Sequence, residues 1–169
     1  MNITFAVIRD EETKQKWKLA FEREQIHRPD EYYDRCMEEN LNGKRVSLLA
    51  LADGEVAGCC HLKYDSDYLP FQEQDIPEIN DLNVFPSYQR HGIGNQFLEE
   101  FESIVRNERG IIGIGVGLFR DYGQAQRLYC RRGYILDGHG LVYKNQEVKP
   151  GTHVLVDDDL NLFFTKKLT

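Results

Sequence analysis

The chain has 169 residues, 41% of them apolar, and a formal net charge of −7 from 21 basic and 28 acidic side chains. That length sets a single domain over 1–169 as the expectation, with nine Phe to build one core. The acidic balance argues against general binding to nucleic acid or to an anionic membrane surface.

The four cysteines, Cys36, Cys59, Cys60 and Cys130, form no C-x-x-C pair, and no disulfide framework is expected. No run approaches the ~18 apolar residues of a membrane span, and the first ten residues lack a basic stretch followed by a long apolar one. A soluble cytoplasmic protein is the expectation.

Residues 3–8 read as a first strand. From Asp10 a polar, helix-favouring stretch carries Trp17, Ala20 and Phe21 on one face. Pro29 is placed to open a second helix through Tyr32, Tyr33, Cys36 and Met37, closing near Gly43. Residues 45–52 and 55–64 flank Asp53-Gly54, the strongest short hairpin signal in the chain. Residues 65–77 read as a longer connection bearing aromatic residues.

A strand and a helix follow over about 78–108, stopped by Gly110. Residues 111–118 are a strand, and 123–132 a short helix closed by Gly133. Segments 134–137, 141–144 and 160–166 complete an antiparallel end. Between them, 145–159 reads as a turn-rich loop with a short strand at 153–156. Strands and helices mixed without a regular βα alternation predict an α/β protein with one mixed sheet.

The segment 81–95 is the most informative. Leu82 and Val84 alternate as strand residues do, and Pro86 and Ser87 end the strand. Ile93, Phe97, Leu98, Phe101, Ile104 and Val105 recur at helical spacing. Gly92 and Gly94 therefore stand where a helix begins. There the backbone N–H groups lack intrahelical partners and the helix dipole is positive, which suits a phosphate. A Walker A loop is excluded, since no G-K-[ST] follows the glycines. The dinucleotide fingerprint also fails, because its third glycine would fall at Phe97 and the segment follows an antiparallel hairpin. A tight turn needing two glycines for backbone room is the structural alternative.

Gln89-Arg90-His91-Gly92-Ile93-Gly94 fits Q/R-x-x-G-x-G/A directly after a strand reading Leu-Asn-Val. It resembles the acetyl-CoA-binding motif of the GNAT superfamily of N-acetyltransferases. Ala125-Gln126-Arg127-Leu128-Tyr129-Cys130-Arg131-Arg132-Gly133-Tyr134 resembles the same family's A-x-x-L-Y-x-x-x-G-F/Y pattern, after one intervening helix and strand. The resemblance implies a GNAT-like single domain: a mixed, mostly antiparallel sheet, splayed at its middle and flanked by helices. It implies acetyl-CoA as co-substrate, its pantetheine arm lying in the split.

Carried over by position, Leu82, Asn83 and Val84 would supply backbone contacts to that arm. Gln89, Arg90, His91, Gly92, Ile93, Gly94 and Asn95 would wrap the pyrophosphate, mainly through main-chain N–H groups. Gly92 and Gly94 would let the backbone approach without a Cβ in the way. The family often has Asn three residues before the Ala of the second motif. Here that position is Tyr122, with Gln124 as the nearby amide. In 113–117 glycines alternate with apolar residues, so one face is bare, either for a ligand or for tight packing under a helix.

Acetyl transfer to an amine requires a deprotonated amine, a stabilised oxyanion and a proton for the departing thiolate. Tyr129 holds the motif position where the family commonly places a hydroxyl near the cofactor sulfur. Otherwise it is a core aromatic beside Leu128. Glu78 and Asp81 are the candidate bases on the strand entering the motif, Glu78 at a position some family members use. In a regular strand they lie on opposite faces unless a bulge intervenes. The oxyanion donor is expected to be a backbone N–H near Asn83 or Val84.

The five histidines show no zinc-ligand spacing, and no metal is expected. Asp157-Asp158-Asp159 reads as a solvated turn before the last strand, and Tyr32, Tyr33, Tyr68 and Phe71 as core or as pocket border. Nothing near Cys130 suggests an activating base. The expected activity is thus direct N-acetyl transfer in a ternary complex to a primary amine, on a small molecule in preference to a protein N-terminus or lysine. A non-catalytic acyl-CoA-binding module is the alternative, and a homodimer is left open.

Overall fold

A computed structural model describes residues 1–169. The chain packs into two compact units, Met1–Tyr64 with Ile79–Phe101, and Asp65–Glu78 with Glu102–Thr169.

The first unit holds β1 (Ile3–Val7), α1 (Glu11–Arg23), α2 (Asp30–Leu41), β2 (Arg45–Ala52), β3 (Glu55–Lys63), all of β4 (Glu78–Val84) but its first residue, and the start of α4 (Ile93–Arg106). Its strands run in the order β1-β2-β3-β4, with β1/β2 and β2/β3 antiparallel. The Asp10 carboxylate caps α1, accepting from the Thr13 N–H at 2.7 Å. Trp17, Ala20 and Phe21 form the buried face of α1, as their spacing predicts. They join Tyr33 and Cys36 of α2, with Leu49, Val56, Cys59 and Phe85, in one core cluster. Asp53 and Gly54 turn the β2–β3 hairpin with φ of 49° and 89°. Left-handed dihedrals at both central residues suit the native strand twist.

β4 departs from the sequence expectation at Asp81. Its φ of 53° is a left-handed residue inside a strand. Such a residue interrupts the ladder as a bulge does, so strict alternation from Glu78 to Asp81 no longer applies. Nearby, β3 comes very close to β4: a Cβ on Gly58 would lie 2.3 Å from the Asn83 carbonyl oxygen and 3.2 Å from the Val84 Cα. Glycine is the residue that permits this approach.

The second unit holds α3 (Leu69–Glu73), β5 (Ile111–Gly117), α5 (Gly123–Arg131), β6 (Ile135–Leu136), β7 (Val142–Tyr143), β8 (Gln146–Glu147) and β9 (Leu160–Lys167). Strand order is β5-β9-β7-β8, with β6 also on β9, and the β5/β9, β6/β9, β7/β9 and β7/β8 pairs are all antiparallel. The connection 65–77 contains the short helix α3, which the sequence reading missed. The short strand expected at 153–156 is absent. Leu155 and Val156 are 66% and 64% exposed there, so their apolar side chains find no sheet to cover. The loop's strand is β8 instead, turned from β7 by Lys144 and Asn145 with φ of 49° and 63°.

The alternating glycines of β5 are filled by rings. Added Cβ atoms would lie 2.2 Å from the Phe71 ring at Gly113, 2.9 Å from Phe163 at Gly115 and 2.3 Å from Tyr122 at Gly117. Tight packing is the outcome here, under the Phe71 ring of α3 at Gly113 and under Phe163 and Tyr122 at the other two glycines. Tyr68 stacks on Phe163 with centroids 3.8 Å apart, and Tyr68, Phe71, Ile76, Val142 and Phe163 form the cluster around them.

Beyond that core, Glu102 is 2% exposed and forms ion pairs with Arg132 and with Lys166, the latter at 3.1 Å. Burial raises the Glu102 pKa, but the two cations outweigh it and leave the carboxyl below its usual range. Strands and helices together give the expected α/β class, mostly antiparallel and flanked by helices. No helix is long and apolar enough to cross a membrane.

Candidate active site

The turn leading into α4 is built from both of its ends. A 3-10 turn over Pro86–Tyr88 ends β4, and the Gln89 side-chain amide donates to the Val84 carbonyl at 3.0 Å, pinning the turn to its strand. Arg90 and Gly92 have φ of 66° and 78°. A Cβ at Gly92 would meet nothing within 4 Å, so this position needs glycine for its dihedral and not for internal space. The Gln96 N–H bonds the Gly92 carbonyl at 3.0 Å and starts the helical ladder. Ile93 is 1% exposed and anchors the helix start, whereas Arg90, His91 and Gly92 are exposed. An open left-handed turn at the N-terminus of a 14-residue helix fits a diphosphate group.

On β4, Leu82, Asn83 and Val84 are half-buried. The Asp81 carboxylate accepts from Asn83 Nδ2 at 2.8 Å, from the Tyr32 hydroxyl at 3.0 Å and from Arg28 Nη2 at 3.4 Å. Tyr32 is also 3.3 Å from His61 Nε2. Tyr33, by contrast, is a core residue at 2% exposure. None of Arg28, Tyr32 or His61 was assigned to Asp81 from sequence.

His61 is 0% exposed. Burial, with Arg45 adding to it, holds its imidazole well below the ordinary value of 6.5. It stays neutral in the fold while the unfolded chain takes up a proton. Below about pH 6.5 stability should therefore fall by about 1.4 kcal/mol per pH unit from this group, with no contribution above it. Urea midpoints at three acidic pH values check this: His61→Gln should show the shallower decline. Parallel declines would mean that His61 charges in place.

In the second unit, Glu78 is 7% exposed and accepts from the Ser66 hydroxyl at 2.6 Å. Ser66 in turn accepts from the Tyr68 N–H at 3.0 Å. Tyr129 is 4% exposed, with its ring centroid 6.1 Å from Tyr134 and 6.4 Å from Phe164. Tyr122 lies over Gly117, and its hydroxyl donates to Asp158 at 2.6 Å. Gln124 is exposed, while the Gln126 amide donates to the Gly117 carbonyl at 2.9 Å. Asp157 accepts from the Tyr143 hydroxyl at 3.0 Å. No group of three His, Cys, Asp or Glu side chains is placed to hold a metal ion.

Residues 10–134 match the family model described as the Acetyltransferase (GNAT) family. The chain belongs to this family. Solved GNAT structures share its fold over nearly the whole length. One is an aminoglycoside 6'-N-acetyltransferase complexed with coenzyme A, 17% identical, covering 100% of this chain and 98% of its own, TM-score 0.66. Another, from Elizabethkingia anophelis with acetyl-CoA bound, is 19% identical over 99% of each chain, TM-score 0.65. A third, from Salmonella typhimurium, modifies the N-terminal serine of ribosomal protein L7/L12; it is 11% identical, covers 100% and 96%, and has TM-score 0.71. At these identities the likeness concerns the fold. A search of curated proteins gives no significant match. GNAT enzymes use acetyl-CoA as co-substrate, and the turn at 89–95 lies inside the matched region.

Proposed function

We propose that this GNAT protein is an N-acetyltransferase that moves an acetyl group directly to a primary amine on a small molecule, within a ternary complex. The observation that carries the reading is the open turn with left-handed Arg90 and Gly92 at the start of α4, inside the matched region. Gln89, Arg90, His91, Gly92, Gly94 and Asn95 would hold the pyrophosphate, with Ile93 contributing only its N–H. Leu82, Asn83 and Val84 would hold the pantetheine arm by their backbone. Tyr122 and Gln124 are the weaker contacts, since the Tyr122 hydroxyl is engaged by Asp158.

Acetyl-CoA supplies an activated thioester. Tyr129 gives its phenolic proton to the leaving sulfur. Glu78, oriented by Ser66, takes the amine proton, directly or through water. Asp81 receives the acceptor's ammonium, and its three donors hold it in one orientation.

Acetyl-CoA at a hundred times its Kd should stabilise the fold by about 2.7 kcal/mol. That is a rise in Tm of roughly 5–10 °C for a chain of this size. No rise across a wide range of acetyl-CoA concentrations would remove the reading. With binding established, an amine panel assayed for free CoA identifies the acceptor. Binding with no turnover on any amine would leave an acyl-CoA-binding module.

A further inference from the structure

A line of polar side chains runs through the buried part of the first unit. Asn40, Ser47 and His61 are 7%, 0% and 0% exposed. Cys59 Sγ lies 3.7 Å from His61 Nε2, longer than the oxygen contacts of the line, and those shorter contacts favour one assignment of protons. The Ser47 N–H donates to Asn40 Oδ1 at 2.6 Å, which fixes the amide's orientation. Asn40 Nδ2 then donates to the Cys36 carbonyl at 2.6 Å and to Ser47 Oγ at 2.8 Å. Ser47 spends its hydroxyl proton on His61 Nδ1, 2.6 Å away. With Nδ1 an acceptor, the neutral imidazole carries its proton on Nε2. Tyr32 gives its only proton to Asp81 Oδ2 at 3.0 Å, so its oxygen accepts from His61 Nε2 at 3.3 Å. In this assignment the side-chain protons that link Asn40, Ser47, His61 and Tyr32 all run toward Asp81.

We infer that Tyr32 and His61 are positioning residues for Asp81, and that the line from Asn40 through Ser47 holds His61 in the Nε2–H tautomer for this purpose. Tyr32, Cys36 and Asn40 recur four residues apart on one face of α2, so a single helix face delivers both ends of the line. A carboxylate has about four acceptor sites. Tyr32 and Asn83 take one each, and Arg28 spans both oxygens at 3.4 and 3.5 Å, so the acceptor's ammonium would take over part of this long Arg28 contact.

The charged and titratable groups around Asp81 are Arg28 from the α1–α2 connection, Tyr32 from α2, and Cys59, Cys60 and His61 from β3. Arg45 of β2 and Lys63 of β3 act on His61. The inference rests on Asp81 serving the acceptor, and two separate readouts keep the two ideas apart.

The first readout is 15N NMR of the full chain. His61 should be the neutral Nε2–H tautomer from roughly pH 5 to 9, and Tyr32→Phe should shift its Nε2 resonance. An Nδ1–H tautomer, a charged ring in that range, or an Nε2 resonance indifferent to Tyr32→Phe overturns the inference.

The second readout is kinetic. Tyr32→Phe and His61→Leu should each lower kcat about tenfold with the KM for acetyl-CoA unchanged. His61→Gln, which keeps an N–H donor near Nε2, should recover most of the loss. Equal losses for Gln and Leu at position 61 overturn the positioning role. Unchanged turnover in Asp81→Asn, with the NMR result intact, overturns only the part given to Asp81.

Discussion

Gly58→Ala should lower the Tm by roughly 5 °C or more and cut acetyl transfer with it. The added methyl would stand 2.3 Å from the Asn83 carbonyl oxygen, and that neighbour is backbone, with no rotamer to yield. Either β3 or β4 must shift. Overpacking of this kind costs about 1–3 kcal/mol, and in a chain of this size each kcal/mol is about 2–4 °C. The displaced residues would be Asn83 and Val84, assigned to the cofactor's arm, so the loss of activity should exceed the loss of folded protein at 25 °C. Gly123→Ala is the control. Gly123 opens α5 with φ of −56° and has nothing within 4 Å of an added Cβ. There the change should stabilise by about 0.5–1 kcal/mol. If thermal melts leave Gly58→Ala at the parent's Tm, β3 and β4 are not in close approach.

Tyr129→Phe should reduce kcat by about 10²-fold while leaving acetyl-CoA's stabilising effect in place. General acids contribute about 10²–10⁴, and the lower figure applies because solvent can protonate a thiolate more slowly. Phe keeps the ring against Tyr134 and Phe164, so packing survives. The measurement is steady-state CoA release together with a thermal shift on the same preparation. Wild-type turnover would make Tyr129 a packing residue. Glu78→Gln belongs beside it: a base removed from the amine should slow turnover by a similar factor, and most at low pH, where less of the amine is free.

The parts of this protein legible in its sequence are those written in neighbouring residues. The face of α1, the Asp53-Gly54 turn and the strand-turn-helix around Gly92 each declare themselves within about a dozen positions. What stayed hidden depends on distant partners. Arg28 and Tyr32 reach Asp81 across 53 and 49 residues, and His61 reaches Tyr32 across 29. Lone polar residues within apolar strands, such as Ser47 and His61, were the only available sign. The left-handed Asp81 was invisible because Asp is also at home in regular turns, and nothing in Ile-Asn-Asp-Leu-Asn announces a break. Of the Lys144-Asn145 turn, Asn145 fell in the expected turn-rich loop, whereas Lys144 read as strand because lysine carries no turn signal. On β5 the bare face was legible, but which rings would cover it was not.

Those covered glycines have a consequence for how this protein tolerates change. Gly113 with Phe71, Gly115 with Phe163 and Gly117 with Tyr122 are complementary volumes. Shrinking a ring alone opens a void, and enlarging its glycine alone creates a clash, yet both together conserve the filled space. Each glycine is thus coupled to its ring, and the first two pairs are coupled to each other, since Phe71 meets Phe163 edge to face at 5.3 Å. Substitution data collected one site at a time would score all six as intolerant, whereas paired libraries should recover viable combinations within each pair.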